Sequence, residues 1–346
     1  MTHSLKKVFL VAFILSIGAL FLWTSSTRPS ILVIHAYSAK TPWVKNINKG
    51  LRKVFKERTF YHRYYHYMNI KEYPDTAYTE EASKKTMEVI NALNPDYIIL
   101  VDDITQKIIG KKYINHPDIQ VIYCGIKQDP KDYGYEDAKN ITGIDVSLPL
   151  HILDDLLVFN IDEGNFDHQI YLTPISDSTI TSQEDNVAIK KYNKWTKVKL
   201  RPSLQVKTFD DWKKAILKVR GRQEVILISN HHGLIRSQAN PRYVPAKEVT
   251  QWTVENAKVP LVGLYGPFVR NGGHLAIAPS ALEQGERAAK IVENLIENDI
   301  YIHELKPEHS NHFLVYLRKI PGHKPYKFKI PAVYEAFARA MHHYYD

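Results

Sequence analysis

The sequence predicts an α/β protein made of two doubly wound, Rossmann-like parallel sheets, preceded by a hydrophobic helix. Three observations predict it. A chain of 346 residues suits two domains of ordinary size better than one. Short continuous apolar runs, the mark of strands buried on both faces, recur along it. Segments with apolar residues at helical spacing separate those runs, and strands alternating with helices imply a parallel sheet.

The first run is separate from the rest. Lys6 and Lys7 precede the apolar stretch Val8 to Trp23, and polar Thr24 to Ser30 follow it. About sixteen apolar residues lie between a signal-peptide core and a full membrane span. The lysines should remain cytoplasmic, which sends everything after Trp23 across the membrane. The expectation for residues 1–30 is an uncleaved signal anchor, with a cleaved signal peptide as the alternative, because no small-x-small cleavage site is evident.

Ile31 to Ile34 is a strand ending at His35-Ala36-Tyr37-Ser38, and Thr41 with Pro42 should start a helix whose buried stripe is Val44, Ile47, Leu51, Val54 and Phe55. Phe60 to Met68 alternates as a strand does. Glu80 to Leu93 is helical and closed by Asn94-Pro95. Tyr97 to Val101 is a buried strand ending in Asp102-Asp103, Ile104 to Ile114 a helix, and Gln120 to Tyr123 a strand. After Asn140-Ile-Thr-Gly-Ile144 a second set begins. It comprises a helix from Ser147 and Pro149 through Phe159, a strand His168 to Leu172 ending in Thr173-Pro-Ile-Ser176-Asp177, and a helix Thr181 to Tyr192. Strands Leu204 to Val206 and Val225 to Ile228 follow, with a helix Asp210 to Val219 between them and another at Ala246 to Asn256.

The stretch Val259 to Asn298 orders the whole. It reads strand (Leu261 to Leu264), glycine-flanked loop, strand (Leu275 to Ala278), then a helix opened by the capping pair Ser280 and Glu283. Ala281, Gly285, Ala288, Val292 and Leu295 share one face of that helix, and the small residues let its backbone approach a sheet closely. One more strand, Phe313 to Leu317, and a Lys-, His- and Tyr-rich tail close the chain.

This stretch resembles the last crossover of type I periplasmic binding proteins. Asn140 to Ile144 resembles the "NVTG(V/I)" that precedes the first crossover in the ABC-transporter substrate-binding family that includes predicted tryptophan and tyrosine importers. The opening HAYSAKTPWVKNINKGL is similar to the start of membrane-tethered relatives and sensor ectodomains. The resemblance implies two lobes joined by a hinge and closing on a solute. Lobe 1 would hold 31–145 and 280–298, lobe 2 would hold 146–279, and 299–346 would form a C-terminal strand and tail.

In open parallel sheets ligands meet the carboxyl ends of the strands. The candidate ligand-binding residues are therefore His35, Tyr37, Ser38 and Trp43; Asp102 and Asp103; Gly125, beside Cys124; Thr173, Ser176 and Asp177; Asn230, His231 and, next to it, His232; and Tyr265. Adjacent His231 and His232 should point to opposite faces of an extended chain, so at most one would reach a ligand. Where the family often keeps a ligand-gripping aspartate, this sequence has Tyr265. That departure argues against a sugar and suits a flat or aromatic solute stacked on Tyr37, Trp43 or Tyr265.

The formal charge of +9 raises the question of nucleic acid, but the basic residues are dispersed and no zinc-finger or RNP pattern occurs. Phosphate-cradling, dinucleotide, nucleophile-elbow and HExxH motifs are also missing, and no cofactor or metal is expected. His62 and His66 fall too far apart on one strand face to share a metal. The one cysteine, Cys124, reads as a small buried hydrophobe and cannot form an internal disulfide. The resemblance thus implies a non-catalytic protein on the periplasmic side of the bacterial inner membrane, delivering a small solute, aromatic or amino-acid-like, to an ABC permease. The alternatives are a ligand-sensing partner of a sensor kinase and, third, a periplasmic hydrolase.

Overall fold

The computed structural model describes residues 12–17, 28–70, 73, 75–298, 300–319 and 326–346. Residues 12–17 are helical; the remainder of the apolar run Val8 to Trp23 lies outside the described residues. No helix among the described residues is long and apolar enough to cross a membrane.

The chain divides into two compact units, Met1–Asp145 with Ala281–Glu308, and Val146–Ser280 with His309–Asp346. Among the described residues the first unit carries a six-stranded sheet. In chain order its strands are β1 (Ser30–His35), β2 (His62–Tyr67), β3 (Tyr97–Val101), β4 (Gln120–Ile126), β5 (Ile141–Asp145) and the two-residue β12 (Glu308–His309), arranged β12-β5-β4-β3-β1-β2. The strands from β5 to β2 all run parallel. Alternate residues of each strand feed two cores. Ile31, Val33, Ile99, Val101, Ile122 and Cys124 face helices α1 (Pro42–Phe55) and α9 (Ala281–Glu297). Leu32, Ile34, Ile98, Leu100, Val121 and Tyr123 pack with Ala82 and Ile90 of α2 (Thr76–Leu93) and with Ile109 and Tyr113. Burial on both faces is why these strands read as unbroken apolar runs. Ile47, Leu51 and Phe55 of α1 are each fully buried, about 1.5–3 kcal/mol apiece.

The expected helices are present with local differences. Thr41 stands at the α1 N-cap position, but its side chain makes no capping bond; Pro42 begins the helix. Asp75 caps α2 through the Tyr78 amide, so the helix begins at Thr76, four residues before the expected start. The helix expected over Ile104 to Ile114 is the shorter α3 (Asp103–Ile108) followed by a 3-10 turn, Gly110–Tyr113.

Among the described residues the second unit holds an eight-stranded sheet ordered β14-β13-β11-β10-β9-β6-β7, with β8 beside β6. Its strands are β6 (Ile170–Asp177), β7 (Val198–Leu200), β8 (Leu204–Val206), β9 (Glu224–Ile228), β10 (Leu261–Gly263), β11 (Leu275–Pro279), β13 (Phe313–Arg318) and β14 (Tyr344–Tyr345). β13 runs antiparallel to β11, and the other assigned pairs are parallel. Helices α4 (Leu150–Asp162) and α5 (Ile180–Lys191) cover one face, α6 (Phe209–Lys218) and α7 (Ala246–Asn256) the other. The glycine-flanked loop after β10 closes into one helical turn, α8 (Gly266–Arg270).

The segment 299–346, set apart above as a strand and tail, divides between the units. Its part from His309 belongs to the second, where β13, helix α10 (Ala332–Ala340) and β14 extend the sheet. Strand β7 has no counterpart among the sequence expectations.

Candidate functional site

In the first unit, three sequence-predicted residues meet where β1, β3 and β4 end. The Trp43 Nε1 donates to Asp102 Oδ1 at 2.9 Å. Asp102 is buried and occupies φ 74°, ψ 158°, a region that is essentially glycine's own. Gly125, also at positive φ, lies so close that a Cβ built on it would sit 3.3 Å from Asp102 Oδ1 and 3.6 Å from Trp43 Nε1. The Gly125 amide donates to Gln284 Oε1 at 2.7 Å, and Gln284 Nε2 donates to the Asp145 carbonyl at 2.9 Å. One glutamine of α9 thus ties the ends of β4 and β5 together.

The remaining first-unit candidates have other partners. His35 is fully buried; its Nε2 lies 2.9 Å from Asn48 Oδ1, and its ring stacks on Tyr67 at 5.2 Å. Asn48 donates its amide to the Tyr67 hydroxyl, so its carbonyl faces His35 and Nε2 carries the ring proton. Burial pushes the His35 pKa down to about 4 against the opposing Asn48 bond. The ring is enclosed by the fold and engaged with Asn48 and Tyr67, apart from the cluster at Asp102. Asp103 accepts from the amides of Lys127 and Gln128 at 3.0 and 3.1 Å and from the Tyr133 hydroxyl, fastening the chain after β4. Ser38 accepts from the Lys40 amide in the turn before α1, beside half-buried Tyr37. Cys124 is fully buried, and burial raises its thiol pKa.

In the second unit the structure brings Asn230 and Tyr265 together through a residue that sequence reasoning missed. Asp185 of α5 is buried; Oδ1 accepts from the Tyr265 hydroxyl at 2.7 Å, and Oδ2 accepts from Ser229 Oγ at 2.5 Å and Asn230 Nδ2 at 3.1 Å. Ser182, Asp185 and Ile189 share the buried face of α5. Polar residues at core spacing were the signal available in the sequence.

Thr173, Ser176 and Asp177 lie inside β6 rather than in a loop after it, because the strand continues to Asp177. Asp177 is fully buried. Its Oδ1 accepts from the Thr179 amide and hydroxyl, at 3.1 and 2.6 Å, and from Ser182; Oδ2 accepts from the Gly233 amide at 2.8 Å. Burial alone would raise its pKa, but these donors hold it below the usual carboxylate value. These four bonds tie the end of β6 to the start of α5 and to the turn at Gly233. Ser176 accepts from Asn186 at 3.2 Å. Thr173 pairs in mid-strand with Ile226 and lines a separate pocket of about 230 Å³ with Arg201, Leu204, Lys218 and Glu224. It is not at the carboxyl end.

His231 and His232 do not point to opposite faces. The chain turns after His231, and the rings stack at 4.6 Å. His231 is buried with Nε2 3.0 Å from Thr250 Oγ1, and burial, with His232 adding repulsion, lowers its pKa to about 3. In β2, His66 Nε2 lies 3.0 Å from Thr86 Oγ1. Among the described residues no group of three or more His, Cys, Asp or Glu side chains is placed to hold a metal.

No protein-family model matches the sequence, and no curated protein does. Solved structures do match the fold. The chain superimposes on the ligand-free, open structure of a substrate-binding protein with adhesive properties from Clostridium difficile with TM-score 0.59 at 13% identity, covering 87% of this chain and 99% of that one. An arabinose-binding protein from Geobacillus stearothermophilus gives TM-score 0.56 at 13% identity, over 84% and 97% of the two chains. An ABC domain in complex with L-Trp from Streptococcus pneumonia gives 0.55 at 12%, over 84% and 92%. Two α/β units with parallel-dominated sheets, together with these superpositions, establish the fold as that of type I periplasmic binding proteins.

Proposed function

We propose that this chain is a non-catalytic, extracytoplasmic solute-binding protein. It takes up a small, flat solute and presents it to an ABC permease, and the apolar run Val8 to Trp23 holds it at the membrane. The observation that carries the reading is Asp102. A buried aspartate on glycine-type backbone, hydrogen-bonded to a half-buried tryptophan at the carboxyl end of a parallel sheet, is costly to the fold. Strain of this kind is concentrated at ligand-holding sites. In the second unit, half-buried Tyr265 likewise follows a sheet strand, with its hydroxyl fixed by Asp185. An aromatic ring oriented by a carboxylate, present in each unit, suits an aromatic or amino-acid-like solute, and one neighbour of the same fold was solved with L-Trp.

The test is a thermal-shift screen against amino acids, nucleosides and sugars, followed by calorimetry on Trp43→Ala and Tyr265→Ala. A ligand that binds only the folded state raises the melting temperature. Each truncation should then weaken binding by about 1–3 kcal/mol, roughly tenfold to a hundredfold. Unchanged affinity in both variants would remove these residues from the site. Efficient turnover of esters or phosphates would replace the reading with a hydrolase.

A further inference from the structure

Helix α1 buries Val44, Ile47, Leu51 and Phe55 and turns a different face outward. Lys45, Lys49, Arg52 and Lys56, the last just beyond the helix, are all exposed and follow one another at intervals of four, three and four residues. On a helix that spacing is a single stripe, about 16 Å long. No acidic residue lies in α1. Three acids of the neighbouring α9 are engaged elsewhere, Glu286 with Lys53 and Glu293 and Glu297 with Arg58, and the fourth, Glu283, is buried. None of the four stripe cations makes an ion pair among the described residues. Glu57 is the exposed acid next to the stripe in sequence. On the side of β2, Arg63 donates to the Phe55 carbonyl at 2.8 Å and carries the positive face onward. Like charges one turn apart repel, and Lys45 also stands in the first turn, where the helix dipole disfavours a cation.

We propose that this face of α1 docks the first unit on an anionic lipid bilayer. Cations in a straight line suit a plane of phosphate headgroups. None of the exposed large hydrophobic residues belongs to α1, so the contact is electrostatic and stays at headgroup level. The tether favours a bilayer over an acidic protein. Only residues 24–29 separate the apolar run from β1, a reach of at most about 20 Å, so an inserted run keeps this unit at the lipid surface. The inference rests on the membrane-tethered part of the proposed function and is independent of the solute.

The experiment uses the full chain reconstituted in vesicles of phosphatidylcholine, alone or with about a quarter phosphatidylglycerol. A water-soluble amine-acylating reagent labels lysines, and mass spectrometry reads the rate at each. Labelling of Lys45, Lys49 and Lys56 should slow by roughly threefold or more on the anionic vesicles and recover in high salt, while exposed Lys199 and Lys258 of the second unit stay unchanged. Lys49→Gln combined with Arg52→Gln should remove the protection at Lys45 and Lys56. Equal rates on both lipids, or protection that salt and the double variant leave intact, overturn the proposal. Alkaline extraction of the same vesicles reports separately whether the run is inserted, so failure of the tether and failure of the stripe are told apart.

Discussion

At the carboxyl end of the first unit's sheet, Asp102 is a buried carboxylate on strained backbone, held beside an indole and a glycine. At the end of β6 in the second unit, Asp177 is a buried carboxylate at a strand end without positive φ, and it gathers donors from Thr179, Ser182 and Gly233. Residue type and position relative to the sheet are alike. In the second unit the charge is consumed in fixing the start of α5 and the turn at Gly233. In the first, the fold carries a backbone cost to keep an aspartate where glycine would be easier. A carboxylate at a strand end is therefore not by itself a ligand contact; its donors decide.

Asp177→Ala should show the largest effect. It removes the charged acceptor of four hydrogen bonds, from the Thr179 amide and hydroxyl, buried Ser182 and the Gly233 amide, so urea unfolding should report a loss of about 3–5 kcal/mol. A loss below about 1 kcal/mol would mean that Asp177 is not the tie post the contrast makes it. Gly285→Ala probes the support of the first unit. A Cβ there would lie 2.1 Å from the Ile47 carbonyl oxygen of α1, a backbone atom that moves only with its helix. Destabilisation of about 3 kcal/mol is expected by thermal or urea melts. A neutral result would show that the helix pair is looser than its packing implies.

Each unit also holds a buried histidine with a lowered pKa, His35 in the first and His231 in the second, so here the two should behave alike. The pKa of His35 falls to about 4 in the folded protein, against about 6.5 unfolded. The unfolded chain then binds the extra proton between those values. Its contribution to stability is complete above about pH 6.5 and is lost as pH falls toward 4, at up to about 1.4 kcal/mol per pH unit. His231, lowered to about 3, acts in the same direction over a wider window. Urea melts from pH 7 to pH 4 should show a shallower acid slope for His35→Phe than for the unaltered chain, whatever the variant's absolute stability. Equal slopes would indicate that His35 is protonated in the fold.

The smallest stability effect is expected at Asp102. Asp102→Gly relieves the strained φ but loses the bond from Trp43. These offset, leaving a change within about 1 kcal/mol. Solute affinity, measured on the same variant, should nevertheless fall if the carboxylate is kept for binding. A large stability loss with unchanged affinity would make Asp102 as structural as Asp177 and erase the difference between the units.

Much of the fold was legible from local chemistry. Tyr97–Val101, Leu204–Val206 and Ala246–Asn256 stand where apolar runs and helical spacing put them, because both patterns arise from which faces are buried. The α9 stripe Ala281, Gly285, Ala288, Val292 and Leu295 is likewise buried. The sequence also sufficed to place Trp43, Asp102 and Gly125 near strand ends. Tertiary structure alone decided what those ends do. Asp185 meets Tyr265 across 80 positions, and Asp177 meets Gly233 across 56. Strands β13 and β14 find places in a sheet begun far upstream, and His231 and His232 stack because the chain turns between them. Periodicity reports burial within a few turns of chain, whereas a carboxylate's role depends on donors that only folding brings within about 3 Å.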